Sequence, residues 1–359
     1  MNIPYPIKIR AVWWDESSRK TCWINTLKLP HSEEVECSSD PVRVAKAIID
    51  LEIRGAPAIG VAAALAVASY AWTLTGKPRE EFYSKTLEAV SVLWATRPTA
   101  HNLFHALTRV REKLLAGMSA GATPLEAAED VTREALKIME EDIYSNYLIG
   151  EHGSQLVPDN ASILTHCNAG ALATSALGTA EAVMRVAWYK GKRIRVYATE
   201  TRPVLQGARL TVWELVKEGI PVTLITDNTA GFLMRKGMVD LVIVGADRIT
   251  REGYVVNKIG TYMIALAARR NNIPFYVAAP TSTIDLNSRI EDVVIEERNP
   301  AEVKYVMGRL ITLEEAPALN YAFDITDPDL VTAIITEKGV VKPPFPENLK
   351  KIAGSSQPH

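Results

Sequence analysis

Apolar and polar residues follow a helical rhythm through the first 150 residues and a different rhythm after them. Within residues 7–29 the apolar positions alternate, which predicts short strands. Asp40 followed by Pro41 is typical of a helix N-cap and first helical position. Apolar spacing of three to four residues, broken by Gly and Pro, then predicts five helices. They are expected at 42–51, 57–74, 79–96, 100–116 and 124–147.

After Gly153 short apolar runs alternate with helical stretches. This alternation predicts a Rossmann-like parallel sheet with helices on its faces. Following a first strand at 163–164, the strands are expected at 194–198, 222–225, 241–245 and 275–278, and the helices at 207–218, 229–236 and 258–271. The fold class is therefore α/β: an N-terminal domain of short strands then helices (1–150), a Rossmann-like catalytic domain (151–345) and a tail (346–359).

The most informative stretch is residues 163–174, where an apolar run stops at Thr165-His-Cys-Asn168. The Ala-rich segment 171–188 that follows is predicted as a helix. The loop that leaves the carboxyl end of such a strand lines the ligand crevice of an α/β sheet. A helix N-terminus at this point would lower the pKa of the Cys167 thiol. The alternative is that Cys167 is a buried structural cysteine.

Two arginines stand beside predicted helix starts. Arg54 precedes Gly55, Ala56 and Pro57, and Arg97 precedes Pro98. A guanidinium next to the free N–H groups of a helix N-terminus suits a phosphate. Each segment could equally be a turn with a solvated arginine.

Charged and amide side chains also follow the strands of the second domain. One connecting loop carries Glu200, Arg202, Gln206 and Arg209, which is more charge than a simple connection needs. A wholly apolar strand ends at Asp247; desolvation by its apolar neighbours would raise the pKa of that carboxyl and suit a general acid. The alternative for this residue is a salt bridge or cap with Arg248.

Composition excludes several function classes. The chain of 359 residues has a net charge of −2, without the basic excess of nucleic-acid-binding proteins. It has no dinucleotide fingerprint and no P-loop. The segment 56–72 is apolar but short, and is expected to be a buried helix rather than a membrane span. The N-terminus lacks a signal-peptide pattern, so a cytoplasmic location is expected.

Cysteines and histidines give little support to a metal or disulfide framework. Cys22, Cys37 and Cys167 are odd in number and form no CxxC pair, which favours a reducing compartment without disulfides or a cysteine zinc site. His101 and His105 lie four residues apart on a predicted helix, but no third ligand is evident.

Five motifs in order carry a family resemblance. They begin at Arg54 (Arg-Gly-Ala-Pro-Ala-Ile-Gly), Thr165 (Thr-His-Cys-Asn-Ala-Gly), Glu200 (Glu-Thr-Arg-Pro-Val-Leu-Gln-Gly-Ala-Arg), Gly245 (Gly-Ala-Asp-Arg-Ile) and Asn257 (Asn-Lys-Ile-Gly-Thr). This set resembles the methylthioribose-1-phosphate isomerases of methionine salvage, which are related to the regulatory subunits of translation initiation factor 2B. The likeness runs from about Ile9 to Val341. One departure, Asn25-Thr in place of the family's Asp-Gln, lies away from the catalytic motifs.

The resemblance implies an aldose–ketose isomerase that acts on a phosphosugar as a homodimer, with no cofactor or metal. It implies Asp247 as proton donor and Cys167 as the residue that assists the transition state. The substrate contacts that it implies are Arg54, Gly55, Ala56, Arg97, Gln206, Asn257 and Lys258.

Two alternatives remain open: a ribose-1,5-bisphosphate isomerase with the same Cys/Asp pair, and a non-catalytic regulatory subunit like those of translation initiation factor 2B. An apolar slot for a methylthio group could come from Trp13, Trp14 and Trp23.

Overall fold

The structure is a computed structural model that describes residues 3–97 and 101–354, without the side chain of His101. The chain forms two compact units, and each takes in two stretches of sequence. Unit 1 runs to Asn146 and includes Gly170–Gly178, whereas unit 2 comprises Tyr147–Ala169 and the chain from Thr179 onward.

Unit 1 begins with a small antiparallel sheet of three strands. They are β1 (Val12–Asp15), β2 (Lys20–Ile24) and β3 (Val35–Ser38). The short strands predicted before residue 29 correspond to β1 and β2, and β3 was not predicted.

Cys22 and Cys37 form a disulfide, so the expectation of no disulfide was wrong. They lie directly opposite each other on β2 and β3, with their Cα atoms 4.0 Å apart. Counting cysteines could not reveal this, because the strand register alone brings the two side chains together.

Five helices follow the sheet. They are α1 (Pro41–Ile49), α2 (Ala56–Thr73), α3 (Arg79–Trp94), α4 (His101–Ser119) and α5 (Pro124–Ser154), whose last residues belong to unit 2. The predicted cap is confirmed: the Asp40 carboxylate accepts a hydrogen bond from the backbone N–H of Val42 at 2.9 Å. Among the described residues, α2 is the one helix long and apolar enough to cross a membrane. Since 72% of it is buried inside the protein, it has the setting of a core helix.

Unit 2 contains thirteen strands among the described residues. They are β4 (Ser162–Thr165), β5 (Arg195–Thr199), β6 (Val222–Ile225), β7 (Leu241–Val244), β8 (Arg248–Thr250), β9 (Val255–Lys258), β10 (Phe275–Ala278), β11 (Ile284–Asp285), β12 (Tyr305–Val306), β13 (Arg309–Leu310), β14 (Phe323–Thr326), β15 (Ala333–Thr336) and β16 (Gly339–Val341). Its helices are α6 (Ala180–Tyr189), α7 (Val212–Glu218), α8 (Ala230–Arg235), α9 (Thr261–Arg270), α10 (Ala301–Lys304) and α11 (Phe345–Gly354).

The main sheet has seven strands in the order β16-β15-β10-β7-β4-β5-β6. All neighbours pair in parallel except β15 and β16. The alternation of side chains along each strand separates two cores. Ile163 of β4 packs in a cluster with α6 and α7, whereas Leu164 packs in one with α8, α9 and α11. Helices thus cover both faces, and the predicted Rossmann-like parallel sheet is confirmed.

A second sheet of unit 2, in the order β11-β8-β9-β14, lies outside the predicted pattern. β8 and β9 form an antiparallel hairpin directly after Asp247, and β14 pairs antiparallel with β9. This hairpin occupies sequence between two expected elements, so periodicity did not reveal it.

Two predictions about helices were wrong. Residues 171–188 do not form one helix: a 3₁₀ turn spans Ala171–Ala173, and α6 begins only at Ala180. The reason is that this part of the chain bonds within unit 1: the N–H of Ser175 donates to the Asp142 carboxylate, and its carbonyl accepts from the N–H of Ala11.

The second wrong prediction is that residues 346–359 form a tail without a helix. Its first part belongs to α11, where Phe345 and Leu349 are buried in the core. Residues 355–359 lie outside the described part of the chain.

Candidate active site

The order of the main sheet marks a candidate ligand-binding position in unit 2. From β4 the chain adds β5 and β6 on one side and then returns to place β7 on the other side of β4. In open parallel sheets, ligands bind outside the carboxyl ends of the strands at the point where the order reverses. Cys167 follows β4 and Asp247 follows β7, so the two predicted catalytic residues stand on the loops that flank this point.

Cys167 is buried and holds an unusual backbone conformation, with φ at +66°. Its N–H donates to the Thr201 hydroxyl at 2.9 Å, and its carbonyl accepts from the Thr211 hydroxyl at 2.7 Å. A left-handed conformation of a non-glycine residue costs about 1–3 kcal/mol and persists only where neighbours enforce it. The surrounding hydrogen bonds therefore fix the loop that carries the free thiol.

Asp247 is exposed, so the expected desolvation by its sequence neighbours was wrong. The apolar β7 ends before it, and β8 starts directly after it. Its backbone N–H donates to the carbonyl of Val256 at 2.9 Å, which places Asp247 beside Asn257 on β9. The structure thus brings these two predicted site residues together.

Lys258 and Asn257 end β9, next to β14. Asn257 is buried, and its side-chain amide donates to the Thr261 hydroxyl at 3.0 Å. The Lys258 ammonium lies 4.8 Å from the centre of the Phe323 ring.

His166, on the loop after β4, connects the loop after β9 to the end of β5. One of its ring nitrogens lies 2.8 Å from the Ile259 carbonyl, and the other lies 2.6 Å from the Thr199 hydroxyl. Burial lowers the pKa of His166, which favours its neutral form.

Asp324 of β14 caps the start of α9. Its carboxylate accepts from the N–H of Gly260 at 2.7 Å and from the N–H of Tyr262 at 3.1 Å. Burial raises the pKa of this carboxyl to about 6, although the two N–H groups and the nearby Lys258 ammonium oppose the shift.

Gln206 sits in the charged loop after β5. The residue is buried, and its side-chain oxygen has no hydrogen-bond partner among the described residues. A buried acceptor left unpaired costs about 1–3 kcal/mol, so this oxygen is suited to a ligand hydroxyl.

Gly207, the next residue, must be glycine. A Cβ there would lie 1.8 Å from the Thr199 carbonyl oxygen. The close approach packs the loop that carries Gln206 onto the end of β5.

Arg54, Gly55 and Ala56 lie in unit 1, where Gly55 is the N-cap of α2. Gly55 has a φ of +90°, and a Cβ there would lie 2.2 Å from the Ala173 carbonyl oxygen. Only glycine fits this approach, so the motif fixes the start of α2. Arg54 is half-buried.

Arg97, the fourth predicted contact in unit 1, is half-buried at the end of the first described range. The residues that follow it, 98–100, and the side chain of His101 lie outside the described part. Within that part, no group of three or more His, Cys, Asp or Glu side chains could hold a metal ion.

Trp23 does not fit the proposed apolar slot. Its side chain is fully buried in unit 1, and its indole N–H donates to the Glu52 carboxylate at 3.1 Å. Trp13 and Trp14 are half-buried.

Sequence reasoning assigned no individual role to several side chains that build the site. His166, Asn168 and Thr201 lay inside the quoted motifs without a role of their own, and Asp324 lay in no motif. Only the register of β14 against β9, which pairs Asp324 with Asn257, could have indicated that Asp324 belongs to the site.

This chain is similar in sequence to a known family and to named enzymes within it. Residues 52–343 match the model of the initiation factor 2 subunit family. The chain is 50% identical over 349 residues to a methylthioribose-1-phosphate isomerase of Desulforamulus reducens, covering 96% of this chain and 99% of that protein. It is 51% identical over 348 residues to the enzyme of that name from Thermotoga maritima, covering 96% and 98%.

A solved structure titled 5-methylthioribose 1-phosphate isomerase from Pyrococcus horikoshii has a TM-score of 0.93 and 44% identity, covering 99% of this chain and 100% of that one. A structure titled translation initiation factor eIF-2B subunit delta from A. fulgidus has a TM-score of 0.90 and 44% identity, covering 97% and 100%. The chain therefore belongs to the initiation factor 2 subunit family and, within it, to the methylthioribose-1-phosphate isomerases.

Proposed function

We propose that this chain isomerises 5-methylthioribose 1-phosphate to 5-methylthioribulose 1-phosphate, with Cys167 and Asp247 as the reacting side chains. The observation that carries the proposal is their position: they stand on the loops after two adjacent strands, β4 and β7, where the strand order reverses. This is where an open parallel sheet binds small ligands.

The chemistry needs a group on each side of the sugar. The bond between C1 and the ring oxygen breaks, and the ring oxygen takes a proton from Asp247. One hydrogen moves from C2 to C1, either as a hydride or as a proton through an enol, and the C2 hydroxyl gives up its own proton to become the carbonyl. That proton replaces the one that Asp247 gave to the ring oxygen. Cys167 acts on the C1/C2 side, as base or as stabiliser of the developing charge.

A bound substrate would shield the exposed carboxyl of Asp247 from water. A sugar covering Asp247 would remove it from water, and desolvation raises the pKa of a carboxyl, so that it can hold the proton that the ring oxygen needs. The same ligand would give the unpaired side-chain oxygen of Gln206 a hydroxyl to accept from.

The remaining substrate contacts stay predictions from the resemblance. Gln206, Asn257 and Lys258 are in unit 2. Gln206 follows β5 of the main sheet, whereas Asn257 and Lys258 end β9 of the second sheet. Arg54, Gly55, Ala56 and Arg97 are in unit 1. We also propose that the chain works as a homodimer in the cytoplasm and without a cofactor.

The substrate is expected to carry one phosphate rather than two. Arg202, a cationic residue of the motif that begins at Glu200, donates to the backbone carbonyls of Pro203 and Val303 at 3.1 and 2.8 Å. That use of Arg202 leaves fewer cations for a second phosphate.

The test is to incubate the purified protein with 5-methylthioribose 1-phosphate or ribose 1,5-bisphosphate and to follow ketose formation by NMR. We expect kcat/KM to be at least about tenfold higher for the methylthio sugar, which corresponds to about 1.4 kcal/mol. A preference for the bisphosphate would contradict the substrate. Binding of both sugars without turnover would favour the regulatory-subunit alternative.

A further inference from the structure

Four ionisable side chains form a buried cluster in unit 2, here called the acid cluster: Glu181, Arg185, Glu214 and Glu218. None is more than 4% exposed. Arg185 pairs with Glu214 at 2.5 Å, with Glu181 at 3.1 Å and with Glu218 at 3.1 Å. Apolar residues of the same volume would often stabilise a core as well or better. Stability alone therefore does not account for three carboxyl groups around one guanidinium.

Asn168 connects the acid cluster to the Cys167 loop. Its side-chain nitrogen donates to Glu214 at 2.9 Å and to Glu181 at 3.1 Å. The same nitrogen lies 3.2 Å from the Thr211 hydroxyl oxygen. That hydroxyl in turn donates to the Cys167 carbonyl, so it is an acceptor toward Asn168. Each of these three partners is an acceptor, and a side-chain amide is a donor that matches them without adding charge.

Charge explains why the residue next to the thiol is an asparagine. Burial raises the pKa of Glu181 well above its usual range, and the neighbouring Glu214 raises it further. A neutral Glu181 leaves two carboxylates facing the Arg185 guanidinium. An aspartate at 168 would add another carboxyl to this dry site, where an uncompensated charge is strongly unfavourable.

We infer that Asn168 is a positioning residue, which holds the thiol of Cys167 in place by binding its loop to the acid cluster. Cys167 has a strained backbone, at φ +66°, and needs restraint on both sides. Thr201 holds its N–H, Thr211 holds its carbonyl, and the acid cluster holds the side chain of the next residue, Asn168. The catalytic meaning of this restraint rests on the proposed function of Cys167.

The test exchanges donor and acceptor across one contact. Asn168→Asp keeps the size of the side chain but replaces its donor with an acceptor. The double variant combines Asn168→Asp with Glu214→Gln. In it the amide nitrogen introduced at position 214 can donate to the carboxylate introduced at position 168, while the amide oxygen still accepts from Arg185, and the total charge equals that of the wild type. Asn271→Asp is the control, since Asn271 is a half-buried asparagine at the end of α9 whose amide donates to the Ala267 carbonyl at 2.7 Å.

Two readouts separate this inference from the proposed function. The first is the alkylation rate of Cys167, the one cysteine outside the disulfide, measured by iodoacetamide at about pH 9.5, where an accessible thiol is mostly thiolate. The second is kcat against KM for the isomerisation. Asn168→Asp should alkylate at least about tenfold faster, because the freed loop exposes the thiol, and its kcat should fall at least about tenfold with KM within about threefold.

The double variant should return both values to within about threefold of the wild type, and Asn271→Asp should change neither. A folded double variant without rescue, or wild-type alkylation in Asn168→Asp, would overturn the inference. If Asn168→Asp does not fold, Asn168→Ala removes the donor without adding a charge and should move both readouts in the same direction; wild-type values there would also overturn it. Rescue of alkylation in a protein without isomerase activity would support the positioning and contradict the proposed function.

Discussion

Asp324→Asn tests the electrostatics at the start of α9, beside Lys258. The pKa of the Asp324 carboxyl is raised from 3.8 to about 6, chiefly by burial. Each pKa unit corresponds to about 1.4 kcal/mol, so ionising this group costs the folded state about 3 kcal/mol more than the unfolded one.

The direction of the change in stability follows from the pH at which the folded and the unfolded state each lose the Asp324 proton. Below about pH 4 the carboxyl is protonated in both states. Between about pH 4 and pH 6 the unfolded chain releases the proton while the folded chain keeps it, so the folded state loses relative stability as the pH rises. Asparagine does not titrate, so the free energy of unfolding of the wild type minus that of Asp324→Asn should fall by about 2–3 kcal/mol across this window and stay level above about pH 7.

The assay is denaturant unfolding followed by tryptophan fluorescence at several pH values. Asp142 in unit 1 also has its pKa raised to about 6 by burial, but it contributes equally to both proteins and cancels in the difference. The exposed Asp329 provides a control, Asp329→Asn. A difference between wild type and Asp324→Asn that is independent of pH, or that rises through the window, would refute the reasoning.

Two further predictions concern the anion site and the loop after β5. Arg54→Ala should raise the inhibition constant of inorganic phosphate by about tenfold or more, because a charge-assisted contact contributes about 1.5–3 kcal/mol; an unchanged constant would show that the Arg54 segment is only a turn. Gly207→Ala should lower the free energy of unfolding by at least about 2 kcal/mol, because the new methyl group collides with the Thr199 carbonyl. Gly76→Ala, where no atom lies within 4 Å of the added Cβ, is the control, and equal effects of the two substitutions would contradict the packing argument.

The sequence was sufficient for the parts of the fold that depend on periodicity and caps. The apolar runs of β4, β5, β7 and β10 were visible because a strand buried on both faces is a short, mostly apolar run. β6 was also predicted at its observed position, although it is an edge strand and partly exposed. The Asp40 cap was visible because its chemistry is local.

Long-range pairing could not be predicted in this way. The helix expected at 171–188 has helical composition, but Ser175 bonds to Asp142 and Ala11 instead. The Cys22–Cys37 disulfide likewise depends on strand register. In both cases a distant partner decides the outcome, and composition does not report it.

The candidate site, too, could be predicted only in part from the sequence. Cys167 and Asp247 were recognisable because each follows an apolar strand. The exposure of Asp247 could not be predicted, because it depends on the path of the chain between β7 and β8. The acid cluster was also hidden, because its glutamates lie on α6 and α7 and look like ordinary surface positions of amphipathic helices.

The most direct test of the central claim is the turnover of Asp247→Asn with 5-methylthioribose 1-phosphate, measured together with the dissociation constant of the substrate. Asparagine keeps the shape of the side chain and removes its proton, so we expect binding within about threefold of the wild type and a loss of at least about a hundredfold in kcat. Full turnover in this variant would show that Asp247 does not supply the proton to the ring oxygen.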